Sequence, residues 1–304
     1  MRQYRAAIWI LLIVVPLTAL CQNPEPATIA VLKSAENSIY DQAVARFSEG
    51  CRARVAVFKM NGSLQTGREQ IEAINSGKYR LVLAVGASAA LVARERSKHP
   101  VVFCAVFSPD RTRLAGSNIT GVTLDASVKE QFSALQRMMP GLKSIGVIYD
   151  PRVSSELIRE ARSTSRTLGL RLETREVSSH KEVTWAVRDL VGLVEAQWVI
   201  ADSTVVNPEN LRHMLLTSVE NRMPILAFSD AVVREGALAS VSSPTEEIGD
   251  EAAGLANRIL NGQLISTLPI RCSRRAVVFI NLKTARSIKL HIPSDVLSAA
   301  RIGG

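Results

Sequence analysis

Short apolar runs alternate with amphipathic stretches from Thr28 almost to the C-terminus, and this rhythm confines the chain to an α/β layer architecture. Thr28–Lys33 reads as a strand, Glu36–Glu49 as a helix with Ile39, Ala43 and Phe47 at helical spacing, and Val55–Phe58 as the next strand. Asn61-Gly62 turns the chain, Arg68–Ile74 is helical, and Arg80–Val85 leads through Gly86-Ala87-Ser88 into a helix over Ala89–Ser97. Pro100–Val106 is the fourth strand. Runs as continuous as Leu81–Val85 suit a parallel sheet covered on both faces, where alternation is lost.

A break rich in Pro, Gly, Ser and Asn follows at Ser108–Gly121, and then the rhythm restarts. Helices are expected over Val128–Met139, Ser155–Leu168, Glu182–Val191 and from a cap at Asn207 to Arg222, with Pro208 at the first helical position. Between them Ser144–Tyr149, Arg171–Val177, Trp198–Ala201, Pro224–Phe228 and Ala237–Ser242 read as strands. Glu246–Leu260 places Ile248, Ala252, Leu255 and Ile259 on one helical face, followed by a strand at Ala276–Ile280 and a short helix around Thr284–Ile288. The expected fold is two doubly wound parallel-sheet lobes joined by a hinge: 26–122 with about 245–268, and 123–244 with about 269–304.

Residues 1–21 are set apart from this pattern. Arg2 and Arg5 precede an uncharged apolar run to Leu20, which has the layout of a secretory signal and is too short for a spanning helix of roughly 20 apolar residues. Cys21 leaves two readings open, simple cleavage or a lipid-modified N-terminus, and Leu20 is larger than lipid processing prefers. The formal charge of +9 is spread along helices among acidic residues, as in Arg159-Glu160 and Arg188-Asp189, so a solvated surface explains it better than a nucleic-acid partner. Beyond the leader only Cys51, Cys104 and Cys272 remain, an odd number that gives no complete disulfide framework.

In open parallel sheets, ligands lie beyond the carboxyl ends of the strands, where helix N-termini converge. Two such sheets facing each other share that crevice and can hinge shut around a solute. Gly116-Ser117-Asn118-Ile119-Thr120-Gly121-Val122-Thr123, Ile145-Gly146-Val147-Ile148-Tyr149-Asp150-Pro151, Ala201-Asp202-Ser203-Thr204-Val205, Gly236-Ala237-Leu238 and Ile280-Asn281-Leu282-Lys283-Thr284-Ala285 follow in order along nearly the whole chain. Together they resemble the ABC transporter substrate-binding family related to tryptophan-binding proteins, with the type I periplasmic-binding fold. The resemblance implies a monomeric extracytoplasmic receptor, an ABC permease and ATPase as partners, no cofactor, no catalysis, and an aromatic amino acid as ligand in some relatives. This chain departs from the pattern after the fourth strand, where Phe107-Ser108-Pro109-Asp110 stands in place of Asp-Pro.

Strand-end residues are the candidate ligand contacts. Ser34 ends the first strand, where its hydroxyl reaches a ligand or caps a helix, and Tyr40 lies one turn into the following helix. Gly86, Ala87 and Ser88 open a helix whose free N–H groups suit an anionic group. Phe107 and Ser108 close the fourth strand, and an aromatic ring there suits a partly apolar ligand. In the second lobe, Tyr149 with Asp150, Asp202 with Ser203, and Ser229 with Asp230 end successive strands, where an acid pairs with a ligand ammonium or caps the next helix. His99, His180, His213 and His291 stand apart, and neither a metal-ligand spacing nor a Gly-x-Ser-x-Gly elbow is present, which argues against an exported hydrolase. A ligand-sensing partner of a membrane kinase is the other role open to the same fold.

Overall fold

The computed structural model describes residues 28–107, 114, 116–272 and 275–303. The leader, Cys21 and Ser108 therefore lie outside the described residues. Strands β1 (Thr28–Lys33), β2 (Arg54–Lys59), β3 (Leu81–Val85), β4 (Val101–Val106) and β5 (Ile119–Thr123) join β11 (Arg271–Cys272) in one parallel sheet of order β2-β1-β3-β4-β5-β11. The second sheet runs β7 (Arg171–Glu176), β6 (Ser144–Tyr149), β8 (Ala196–Trp198), β9 (Ile225–Ala227), β10 (Ala239–Ser242), β12 (Val277–Asn281) and β13 (Arg301–Gly303). Only the β10–β12 pair in it is antiparallel. Each sheet reverses direction of growth once, between β1 and β3 and between β6 and β8, as a doubly wound fold requires.

Helices α1 (Ser38–Gly50), α2 (Leu64–Ser76) and α3 (Ala87–Arg96) cover the first sheet, and α4 (Val128–Met138), α5 (Pro151–Thr167), α6 (Val183–Leu190), α7 (Pro208–Asn221) and α8 (Asp230–Glu235) cover the second. Their starts follow from cap chemistry. Ser127 and Glu130 form a reciprocal capping box at α4, Ser63 caps α2, and Asn207 accepts from the Asn210 N–H with Pro208 behind it. Two starts fall a full turn earlier than expected: α2 begins at Leu64, and α5 begins at Pro151, because Ser63 and Asp150 each accept a hydrogen bond from the first turn. In the second core Trp198 and Phe132 meet edge to face at 5.0 Å, and the indole N–H donates to Gln131 Oε1 at 2.8 Å, which pairs that buried donor.

Helix α9 (Thr245–Leu260) returns from the second lobe to the first. It lies so close to α1 that Gly249 faces the Ala43 carbonyl, and the Arg46–Asp250 ion pair at 2.8 Å and the Asn257 amide on the Gly50 carbonyl complete the contact. The two-residue strand β11 then pairs with β5, so the last crossing falls after Cys272, a few residues later than the expected boundary near 269. Helices α10 (Leu282–Ser287) and α11 (Ser294–Ala299) close the second lobe, and β13, which has no periodic signal in the sequence, adds its edge. Cys51 and Cys104 are free thiols, and burial pushes the Cys104 thiol up to about 12. No helix among the described residues is long and apolar enough to cross a membrane.

The α1–α9 contact joins segments about two hundred residues apart. A β-carbon at Gly249 would stand 2.5 Å from the Ala43 carbonyl oxygen, which backbone cannot vacate cheaply. Gly249→Val is expected to lower unfolding free energy by about 2 kcal/mol or more, in the range of overpacked cores. Urea denaturation followed by circular dichroism checks this, and an unchanged midpoint contradicts it.

Candidate functional site

The carboxyl ends of the two sheets face one another across a cavity of about 540 Å³. Its first-lobe wall is built from the loop after β1. Asn37 caps α1 by accepting from the Ile39 N–H at 2.8 Å, and Asn37, Ser38 and Tyr40 line the space. The loop is anchored from beneath by Lys33, only 4% exposed, whose ammonium donates to Glu36 at 2.7 Å and Asp41 at 2.6 Å. Burial alone lowers the Lys33 pKa, but the hydrogen bonds it donates to Asp41 and Glu36, with their charges, together outweigh it and the net shift is upward, so the group stays charged.

Beside this loop, Gly86 adopts φ +88° and starts α3 without a capping side chain of its own. Ser34 substitutes for one: its Oγ accepts from the Ala89 N–H at 2.9 Å. A β-carbon at Gly86 would lie 2.7 Å from both Ser34 Oγ and the Tyr40 hydroxyl, so only glycine lets these three groups close together. Ala90 takes the Gly86 carbonyl, which leaves the Ala87 and Ser88 N–H groups at the open end of the helix, where Ala87 meets the cavity. Burial, with a smaller effect of Cys104, raises the Tyr40 pKa and keeps its hydroxyl protonated.

Phe107 leaves β4 and Phe228 leaves β9, and their rings meet edge to face at 5.4 Å to form an aromatic floor spanning both lobes. On the second-lobe wall, Ser229 caps α8 and Asp230 lines the cavity with one oxygen accepting from Ser240 Oγ at 2.6 Å. Arg234 and Arg301 stand further along this wall, with Ser243 and Thr245 from the returning segment between the lobes.

Of the residues expected from strand ends, Tyr40, Ala87, Phe107 and Asp230 are thus brought together on the cavity, with Gly86 and Ser34 just behind them. Tyr149, Asp202 and Ser203 are not on its wall. Tyr149 donates to Glu176 at 2.7 Å. Asp202 is wholly buried, accepting from the Asp150 N–H at 3.0 Å, Ser154 Oγ at 2.6 Å and the Thr204 N–H at 2.9 Å, while Ser203 faces solvent. Asp150 is held by Arg152 and Thr204. The hydrogen bonds from Arg152, opposed by burial and helped by Thr204, hold the Asp150 carboxyl well below the usual carboxylate range. The reason for the miss is lateral: the cavity sits at the switch point of the first sheet but over β9, β10, β12 and β13 of the second, away from the β6 and β8 ends. Asn37, Phe228, Arg234, Ser243 and Arg301 were missed. Phe228 carries the same strand-end signal as Phe107; Arg301 carries none.

Two doubly wound lobes that share a walled cavity and are linked by crossing segments define a two-lobed receptor of the type I periplasmic-binding fold. A family profile described as ABC transporter substrate binding protein matches residues 50–302. The chain belongs to this family, whose members bind small organic solutes for ABC transporters. A "Tyrosine-binding protein" of Clostridioides difficile is 23% identical over 80% of this chain and 73% of its own length. Among solved structures, the ligand-free, open form of a substrate-binding protein with adhesive properties from Clostridium difficile is 21% identical with TM-score 0.72, over 91% of this chain and 99% of that one. An ABC domain in complex with L-Trp from Streptococcus pneumonia is 22% identical with TM-score 0.64, over 90% and 100%.

The depressed Asp150 pKa has a signed consequence. The native state prefers the ionised form, so its stabilisation is complete above the ordinary value of 3.8 and is lost as pH falls through the lower native value. Melting temperature should fall below about pH 4 and fall less steeply in Asp150→Asn. Asp202→Ala should cost about 3 kcal/mol at neutral pH, because three donors lose their buried acceptor, while solute affinity stays within about twofold. A variant that melts like the parent but binds tenfold more weakly would return Asp202 to the ligand site.

Proposed function

We propose that the protein, exported and released from its leader, captures an amino-acid-like solute in this cavity and delivers it unaltered to an ABC permease and its ATPase. The observation that carries the reading is the placement of complementary groups. The α3 N-terminus offers N–H donors and the positive end of a helix dipole to a carboxylate. Asp230, with one oxygen left over by Ser240, faces it from the other lobe as an acceptor for an ammonium. Phe107 and Phe228 supply the apolar floor for a side chain. A ligand that touches both lobes binds the closed arrangement more tightly than the open one and so drives closure.

The names of the relatives that bind tyrosine and tryptophan support an amino-acid head group. Binding without chemistry is supported by the state of the cysteines, since Cys104 is fully buried with its thiol raised to about 12 and so far from thiolate at neutral pH. His99 is occupied with the Ile74 carbonyl.

Thermal-shift and calorimetric titration of purified protein against amino acids, small acids, nucleosides and sugars tests the reading. A selective solute should raise the melting temperature, as native-state binding must. Asp230→Asn and Phe107→Ala should each weaken it about tenfold or more without lowering the melting temperature of the free protein by more than a few degrees. Turnover of the solute, or affinity indifferent to both substitutions, contradicts it.

A further inference from the structure

The cavity is charged beyond what a simple zwitterion satisfies. Its lining carries one carboxylate, Asp230, and two guanidinium groups, Arg234 and Arg301. Neither arginine pairs with a carboxylate among the described residues. Asp230 and Arg234 are spaced for an i,i+4 ion pair on α8, yet Asp230 turns to Ser240 and Arg234 lies over the Phe279 ring, 5.1 Å from its centroid. Arg301 on β13 is in direct register with Phe279 on β12, the residue whose ring Arg234 covers, so both arginines stand where the cavity meets the β12–β13 edge. Stacking on an aromatic face fixes a guanidinium plane while leaving its N–H edge open to a planar anion.

We propose, on the basis of the cleft-binding reading above, that the solute carries an anionic group besides the one taken by α3, and that Arg234 and Arg301 receive it. Closing the lobes removes water from this wall, and two guanidinium groups without a carboxylate partner then oppose closure through the hydration each gives up. A carboxylate at their edge replaces that cost with charge-assisted hydrogen bonds. A neutral side chain leaves the cost standing. The cavity of about 540 Å³ has room for a ring or chain carrying such a group beyond the α-amino acid head. The formal charge, +7 once Arg2 and Arg5 leave with the leader (35 Lys and Arg against 28 Asp and Glu), also favours the approach of an anion.

The test compares L-phenylalanine with 4-carboxy-L-phenylalanine, which differ only in a distal carboxylate, by calorimetry at low and high salt. The carboxylated probe should bind at least tenfold more tightly, with a preference that shrinks as salt rises. The Arg234→Gln/Arg301→Gln double variant should lose that preference to within about twofold, read as the ratio of the two affinities, and Arg234→Lys/Arg301→Lys should retain part of it. Melting of the unliganded variants checks that they fold; if the Gln pair does not, the Lys pair and the salt dependence of the parent decide. Equal or tighter binding of phenylalanine, equal loss of both probes in the Gln variant, or a best solute without a second anionic group overturns the inference and leaves cleft capture intact. Silence from both probes and from the whole solute panel removes cleft capture itself, and the inference with it.

Discussion

Everything at the site depends on two crossing segments that hydrogen-bond to each other before the lobes part. The first leaves β5, where Leu124 still donates to Val106 of β4 at 2.7 Å, and then forms an antiparallel bridge through Asp125 and Ser242. The second leaves β10, where the Ser243 N–H donates to the Leu124 carbonyl at 2.9 Å and its hydroxyl to the Asp125 carbonyl. The ladder of the first sheet is thus continued into the tip of the second. Because both segments are tied at the ends of parallel strands, each sheet presents its carboxyl edge to the same space. Phe107 and Phe228 meet as a result of that tie and not of any local preference.

A second constraint acts within β4. Its register with β5 slips between Phe103 and Val106, and Ala105 takes φ +56°, a left-handed conformation that costs an L-residue roughly 1–2 kcal/mol. Ala105 and Val106 both line the cavity. Bulges of this kind re-aim the residues that follow them, and here the next residue is Phe107. The strained residue therefore lies where the strand stops serving the sheet and begins serving the cleft, which is where such strain is usually found. Phe107 follows the slipped register directly, so the aromatic floor and the bulge belong to one local solution.

The layered fold was legible because burial on both faces of a parallel sheet leaves continuous apolar runs that nothing else in a globular chain resembles. Helix starts at Asn207-Pro208 were legible for a local reason too, since a cap acts over three residues. What escaped depends on distance along the chain. β11 and β13 have two and three residues, and their pairing with β5 and β12 is a tertiary fact without a period to read. The strand-end acids are more instructive. Asp202 and Asp230 occupy equivalent places in sequence, yet one is consumed by Asp150, Ser154 and Thr204 and the other keeps an oxygen for the cavity. Both roles require a short acceptor at the end of a strand, so residue type cannot separate them. The lateral offset of the two sheets does.

That offset also explains how the polar groups of the second lobe divide their labour. At its own switch point, Asp150, Arg152, Asp202 and Thr204 satisfy one another, and a network whose members are all paired holds a single arrangement whether or not a solute is bound. Toward the β12–β13 edge of the sheet, Arg234 and Arg301 are paired with no carboxylate among the described residues, and Asp230 is only half engaged. Water serves these groups while the cavity is open. In the proposed capture cycle, only the solute can replace that water on closure, so the free energy of closure is written in the chemistry of the molecule captured. On that proposal the satisfied cluster supplies the rigidity against which this difference is felt, and the unsatisfied wall supplies the selectivity.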